Sequence, residues 1–281
     1  MALRDTIRDE IHRLVGAGQM KIDRAPDDPG LFGPGSAVWT VHADFSAMMI
    51  GGVAALMTQM LHPQALAGVW DHSDWEKNPA GRLKRTAQFV AVTTYGGTAQ
   101  AEAATARVRS IHSRVAGMLP DGTPYSANDP DLLTWVHVAE ADCFLRGYLA
   151  YREPGMPGAK QDQYFAEMAR LARAMGATNL PETRREVAAY FREVRPQLRH
   201  DARTAAVATA LLDQPATNGT TAPVQAVLLN AGVELLHPWA AALHGRETPV
   251  LRRPAIRLGA GATAEMLRWA LAPRASAAAA A

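Results

Sequence analysis

The side chains best placed to do chemistry lie between Asn78 and His137. Arg82 and Thr86 are four residues apart on a helical run, so a cation and a hydroxyl share one face. His112 falls on the apolar stripe of the next run, with Arg109 one turn before it. His137 follows Trp135 on a third run. A neutral imidazole presented by a stiff helix into an apolar cavity can ligate a haem iron, provided its other ring nitrogen donates to a carbonyl or carboxylate. A guanidinium on the same side can hold a propionate by paired charge-assisted hydrogen bonds. The same pattern also describes a core histidine bonded to a neighbour. Arg109 could equally sit in a surface ion pair with Glu102 or Asp121, and Arg82 with Thr86 on a solvated face beside Lys84 and Arg85. A third possibility gathers His62, His72, His112 and His137 into a non-haem metal site, with Asp71, Asp74 or Glu140 as carboxylate.

The elements that must carry these groups are helical. Asn78 is an expected N-cap with Pro79 in the first helical position, and Gly96-Gly97 stops that helix. Thr98 is expected to cap the following helix. Its stripe of Ala101, Ala104, Val108, Ile111, His112 and Val115 predicts a run to Gly117. Asp121-Gly122 marks the turn of a small hairpin. Asp129-Pro130 starts a third helix that runs to about Tyr151. Helices are also expected over Arg4 to Val15, Ser46 to Leu61, Gln161 to Met175, Pro181 to Leu198, Ala202 to Leu212, Ala222 to Leu243 and Ala262 to Leu271. The glycines between Gly30 and Ser36 read as a structural turn, since no Lys-Ser/Thr follows them as a phosphate loop requires. The fold class is all-α. A single large helical domain over 41–275 follows an N-terminal helix and loop over 1–40 and precedes a low-complexity tail over 276–281.

Composition narrows the function classes. A formal net charge of +2 with no basic block gives nucleic acid nothing to bind. The single cysteine, Cys143, excludes an internal disulfide and a CxxC metal site, and suits a reducing compartment. Met1 to Arg13 is charged and lacks the apolar core of a secretory signal, so the expected location is the cytoplasm. Phe45 to Trp70 has no charged side chain and is long enough to span a bilayer. Gln59, His62, Pro63 and Gln64 in its middle favour a buried helix pair, without stable membrane insertion.

Several of these residues fall into one ordered pattern. It comprises His62-Pro63, His72-Ser73, Arg82-Leu83-x-x-Thr86, His112-x-x-Val115-x-Gly117, Gly122-x-x-Tyr125, Asp129-Pro130 and Trp135-Val136-His137. That pattern resembles the MpaB/latex-clearing-protein family, long catalogued as a bacterial domain of unknown function. The resemblance covers Ser46 to Tyr151, with a weaker echo in Leu180 to Thr183 and Tyr190-Phe191. It implies an all-α fold around haem b and an oxygenase that uses dioxygen to cleave carbon–carbon double bonds in isoprenoid chains. Arg109 to His112 matches the family's Arg-x-x-His, which makes His112 the implied metal ligand. Arg82 to Thr86 matches Arg-x-x-Lys-Thr, except that Arg85 replaces a lysine able to bind iron. A guanidinium stays protonated and is a poor ligand. The resemblance thus implies a pocket with Arg82, Arg85, Arg109 and His137 against the cofactor and with Arg82, Thr86, His62 and His72 as catalytic candidates. Glu76 is a further candidate for the family's distal acid. The expected function is a haem b-dependent oxygenase taking dioxygen and a small hydrophobic, for instance isoprenoid, substrate. The alternatives are a haem carrier or sensor without turnover and a non-haem metal protein. A homo-oligomer is compatible with all of them.

Overall fold

The computed structural model describes residues 2–15, 22–76, 79–216 and 221–272. Asn78 and the 276–281 tail lie outside the described residues. The chain is all-α, with one two-stranded hairpin as the sheet among the described residues.

Two antiparallel helices form the centre, α3 (Phe45–Gln59) and α7 (Pro130–Tyr151). Asp44 starts α3 by accepting the Ala47 N–H at 2.9 Å. Asp129 starts α7 by accepting from Asp131 and Leu132, with Pro130 in the position where its missing N–H costs nothing. α7 buries residues on all sides, which is why its sequence shows no amphipathic stripe. The two helices touch backbone to backbone through glycine. A Cβ at Gly51 would stand 2.7 Å from the Cys143 carbonyl oxygen, and one at Gly147 would stand 2.6 Å from that of Ala47. Trp135 lies fully buried in this seam and donates its indole N–H to the Gln59 carbonyl.

Pro63 interrupts the long apolar stretch as expected. It starts α4 (Pro63–His72), which leaves α3 at a bend of 103°. Among the described residues no single helix is long and apolar enough to cross a membrane. α2 (Ala37–His42) straddles residue 40 and is sunk in the same core, with Val38 and Val41 fully buried. Gly30, Gly33 and Gly35 all take positive φ, so the glycine-rich stretch is the structural turn that its sequence suggests.

α5 (Pro79–Tyr95) and α6 (Thr98–His112) form a helical hairpin turning at Gly96-Gly97. The two pack on each other. α5 also rests on α1 (Ala2–Val15) and α2, and α6 rests on α8 (Gly158–Met175). Neither packs along α7 to any extent. On the far side, α11 (Ala222–Glu234) and α13 (Arg253–Leu271) cover α3. α9 (Arg184–Val194), α10 (Ala202–Leu212) and α12 (Pro238–Leu243) complete the shell.

Several boundaries differ from the sequence expectation. α6 ends at His112, so Val115 is off the helix, and Ile111 is 43% exposed. The inward stripe is Ala101, Thr105, Val108 and His112. Thr183 starts α9 with a capping box, later than Pro181. His237-Pro238 breaks the expected 222–243 helix in two, because proline has no N–H to donate to the helix ladder and its ring clashes with the preceding turn. α13 begins well before Ala262, at a proline-containing first turn.

Candidate functional site

His112 is held from both ends of α6. At the start, Asp28 accepts the Thr98 N–H at 2.8 Å and the Thr98 hydroxyl at 2.6 Å, while Gly97 N–H donates to Asp23. Gly97 is the cap residue, not Thr98, whose hydroxyl is turned to Asp28. At the other end Val115 N–H donates to the His112 carbonyl, and Ala127 N–H to that of Val115. The β1 (Ala116–Met118) and β2 (Pro124–Ser126) hairpin thereby clamps the helix end. The imidazole is half-buried, and burial holds it below the ordinary histidine value. Its Nδ1 is buried and has no hydrogen-bond partner among the described residues.

His137 comes to the same place from α7. It is buried, its Nδ1 is likewise without a partner among the described residues, and it lies close enough to feel the charge of His112. Burial, then repulsion from His112, lowers it to about 4. One turn on, Glu140 is half-buried with no hydrogen bond or ion pair among the described residues, and desolvation pushes its carboxyl up to about 7. The antiparallel register of α5 and α6 sets Thr86, half-buried, level with the C-terminal half of α6. Half-buried Phe89 and Val108 and buried Val90 add apolar surface from the same hairpin.

The other expected residues are distributed less evenly. Arg109 is exposed; its longest reach is a 3.5 Å contact to the Ala174 carbonyl, and no carboxylate pairs with it among the described residues. Glu102 and Asp121 are therefore not its partners; Asp121 faces Arg199 instead. Arg85 is exposed, and the side chain of Arg82 lies outside the described residues. His62 packs on Trp135, with ring centroids 5.9 Å apart. Trp135 and His137 are two residues apart, about 200° around a helix. His62 is thus on the side of α7 away from His137, and the groups it feels are Gln197, Asp129 and Arg199. His72 donates to the Tyr125 hydroxyl at 3.1 Å, and that hydroxyl donates to Asp71 at 2.6 Å. This chain ties the end of α4 to the hairpin. Among the described residues no three His, Cys, Asp or Glu side chains surround one point. The polyhistidine site considered above therefore lacks a ligand set.

One polar group had no signal in the sequence. His42 on α2 bonds Thr94 of α5 through Nδ1 at 2.8 Å and Tyr164 of α8 through Nε2 at 3.2 Å. Burial drives His42 down to about 3 and the Tyr164 phenol well above its ordinary value, with Glu140 contributing to the latter. This network joins three of the helices around the site. It keeps them in register without any charge.

Haem asks for an uncharged imidazole on a rigid element, with apolar surroundings and cations within reach for its propionates. His112, with its depressed basicity and unpaired buried nitrogen, fits that requirement, and Arg109 supplies an uncommitted cation one turn away. The second ring nitrogen is expected to donate to a carbonyl or carboxylate, and none accepts from it among the described residues.

Comparison with known proteins bears on the same region. No curated protein and no solved structure matches the chain. Residues 39–269 match the family model described as ER-bound oxygenase mpaB/B'/Rubber oxygenase, catalytic domain. That span starts in α2, ends in the last turns of α13 and includes α5, α6 and α7 whole. The chain therefore belongs to the mpaB/rubber oxygenase family, and its helical body is that family's oxygenase catalytic domain.

Proposed function

We propose that this oxygenase binds haem b through His112 and uses dioxygen to cleave a carbon–carbon double bond in a small hydrophobic substrate, with isoprenoids as the first class to test. The observation that carries the reading is His112 itself, an imidazole at a clamped helix end, kept neutral by burial and left without a partner. Haem b, when bound, supplies the dioxygen chemistry. The chain supplies the rest. Burial keeps the His112 lone pair free of a proton at neutral pH, as a ligand must be. Arg109 would hold a propionate, and Thr86 would donate its hydroxyl to an oxygen atom on the α5 side. Glu140, near pH 7 in its proton affinity, can take or return a proton at its carboxylate. Apolar Phe89, Val90 and Val108 keep water from that side. A cytoplasmic location is proposed with it, a single buried cysteine being compatible with a reducing compartment.

The test is the absorption spectrum of purified wild type and His112→Ala, with oxygen uptake on a panel of unsaturated terpenoids. A Soret band in the wild type, lost in His112→Ala, is the expected result. Full haem retention in His112→Ala, with loss in His137→Ala, would move the ligand to α7. Haem binding without oxygen uptake on any substrate would leave a carrier or sensor.

A further inference from the structure

The outward side of α13 and the turn before it carry the three most exposed large apolar side chains of the described residues, with an exposed tryptophan near the helix end. Leu251 is 94% exposed, Leu258 77%, Val250 75% and Trp269 51%. Leu258, Ala262 and Trp269 lie opposite the buried Ala260, Ala264 and Leu267 that seat the helix on α11 and α3. Val250 and Leu251 occupy the short 3-10 turn just before it. The result is a ridge of exposed apolar side chains along a 19-residue helix about 28 Å long, interrupted on the same side by Glu265, which pairs with Arg268.

The charges beside this ridge are one-sided. Between Val250 and Leu271 stand Arg252, Arg253, Arg257 and Arg268 against a single acid, Glu265. Arg257 is tied to Glu234, and Arg268 to Asp44 and Glu265. Neither Arg252 nor Arg253 has a carboxylate partner among the described residues, and both are exposed beside the two most forward apolar side chains. An indole at the far end, with the Arg4 guanidinium 5.6 Å from its ring centre, is the side chain that settles at an apolar–aqueous boundary. Apolar side chains flanked by arginines, on a helix lying flat, match the chemistry of an anionic lipid surface, where the tails take the leucines and the phosphates take the guanidiniums.

We propose that the protein docks peripherally on anionic bilayers through the outward side of α13 and the turn before it. Leu251 and Leu258 enter the acyl boundary. Arg252 and Arg253 bind lipid phosphates. Among the described residues no single helix is long and apolar enough to span the bilayer. A second copy of the chain could cover the same ridge, so the experiment must separate the two.

The full chain would be sedimented with vesicles of phosphatidylcholine alone and with vesicles containing phosphatidylserine, and its mass measured in parallel by light scattering. The expected result is sedimentation with the anionic vesicles only. Arg252→Gln/Arg253→Gln should bind them about 25-fold more weakly, since each arginine near such a surface is worth about fivefold. Leu251→Ser/Leu258→Ser should lose binding, and because both positions are largely exposed the variant should keep the wild-type circular dichroism and thermal midpoint. Absence of binding to anionic vesicles, or equal binding by wild type and both variants, would overturn the proposal. So would a wild-type dimer that Leu251→Ser/Leu258→Ser converts to monomer, since the ridge would then be a subunit interface.

Discussion

Mild acid should unfold the apoprotein well above the pH at which its ion pairs break. Three buried histidines set this. His137 and His244 titrate at about 4 in the fold and His42 at about 3, against an ordinary value of 6.5. Below pH 6.5 the unfolded chain takes up a proton at each, and the folded protein does not until pH falls to those lower values. Stability present above pH 6.5 is therefore lost as pH falls, by about 1.4 kcal/mol per pH unit for each histidine. Glu140 acts in the opposite sense. Its carboxyl is raised from 4.5 to about 7, so between those values the fold holds a proton that the unfolded chain lacks. Three histidines less one carboxyl give a net loss of about 2.7 kcal/mol per pH unit between pH 6.5 and 4.5. Over that window the sum is about 5 kcal/mol, comparable to the whole stability of many domains. His62 and His112, also depressed by burial, add in the same direction.

The carboxylates do not blur this window. Asp162 and Asp201, held below 3.8 by hydrogen bonds to Arg184 and Thr204, lose their contribution only at lower pH. The assay is urea unfolding of the apoprotein by far-ultraviolet circular dichroism, in steps of about half a pH unit from neutrality downward. The slope should fall by about 1.4 kcal/mol per pH unit in His137→Phe, which removes one of the three protons. Stability that stays flat across the window would refute the reasoning. So would an unchanged slope in His137→Phe, since His137 would then be protonated, or hydrated, within the fold.

Two further substitutions separate the site from the scaffold. Thr86→Ala should lower oxygen uptake about a hundredfold, the usual effect of removing one preorganised donor, while haem content holds; wild-type uptake in this variant would remove α5 from the reacting side. Asp44→Ala should cost about 1–3 kcal/mol in urea unfolding, because it removes the α3 N-cap and one of the two carboxylates on Arg268, which keeps Glu265 and the Tyr151 carbonyl. Its haem content at neutral pH should match the wild type, and a loss of haem without a loss of stability would place Asp44 in the site.

What the sequence made legible was whatever its own neighbours satisfy. Asp129-Pro130 starts α7 because the side chain and the fixed φ act within one turn, and the helix runs to Tyr151 as its sequence implies. The end of α6 is not legible, for the opposite reason. Its apolar pattern continues to Val115, but the Val115 carbonyl is taken by Ala127 from the hairpin, and the helix start is capped by Asp28 from a distant loop. Neither partner is visible in a local window. His112 and Arg109 stood out because a one-turn spacing on a stripe is local information. Their relation to His137 and Glu140 is not, since it depends on how α6 is laid against α7. The same distinction separates the two candidate histidine groups. His62 and His137 were both candidate imidazoles, yet His62 packs on Trp135, and the two-residue offset from Trp135 to His137 along α7 puts them on opposite sides of that helix. α5 and α6 lean on α1, α2 and α8 rather than on α7, and His112 and His137 come together there with unpaired Nδ1 atoms. That arrangement has no sequence pattern of its own, because it is set by the lengths and caps of the helices around it.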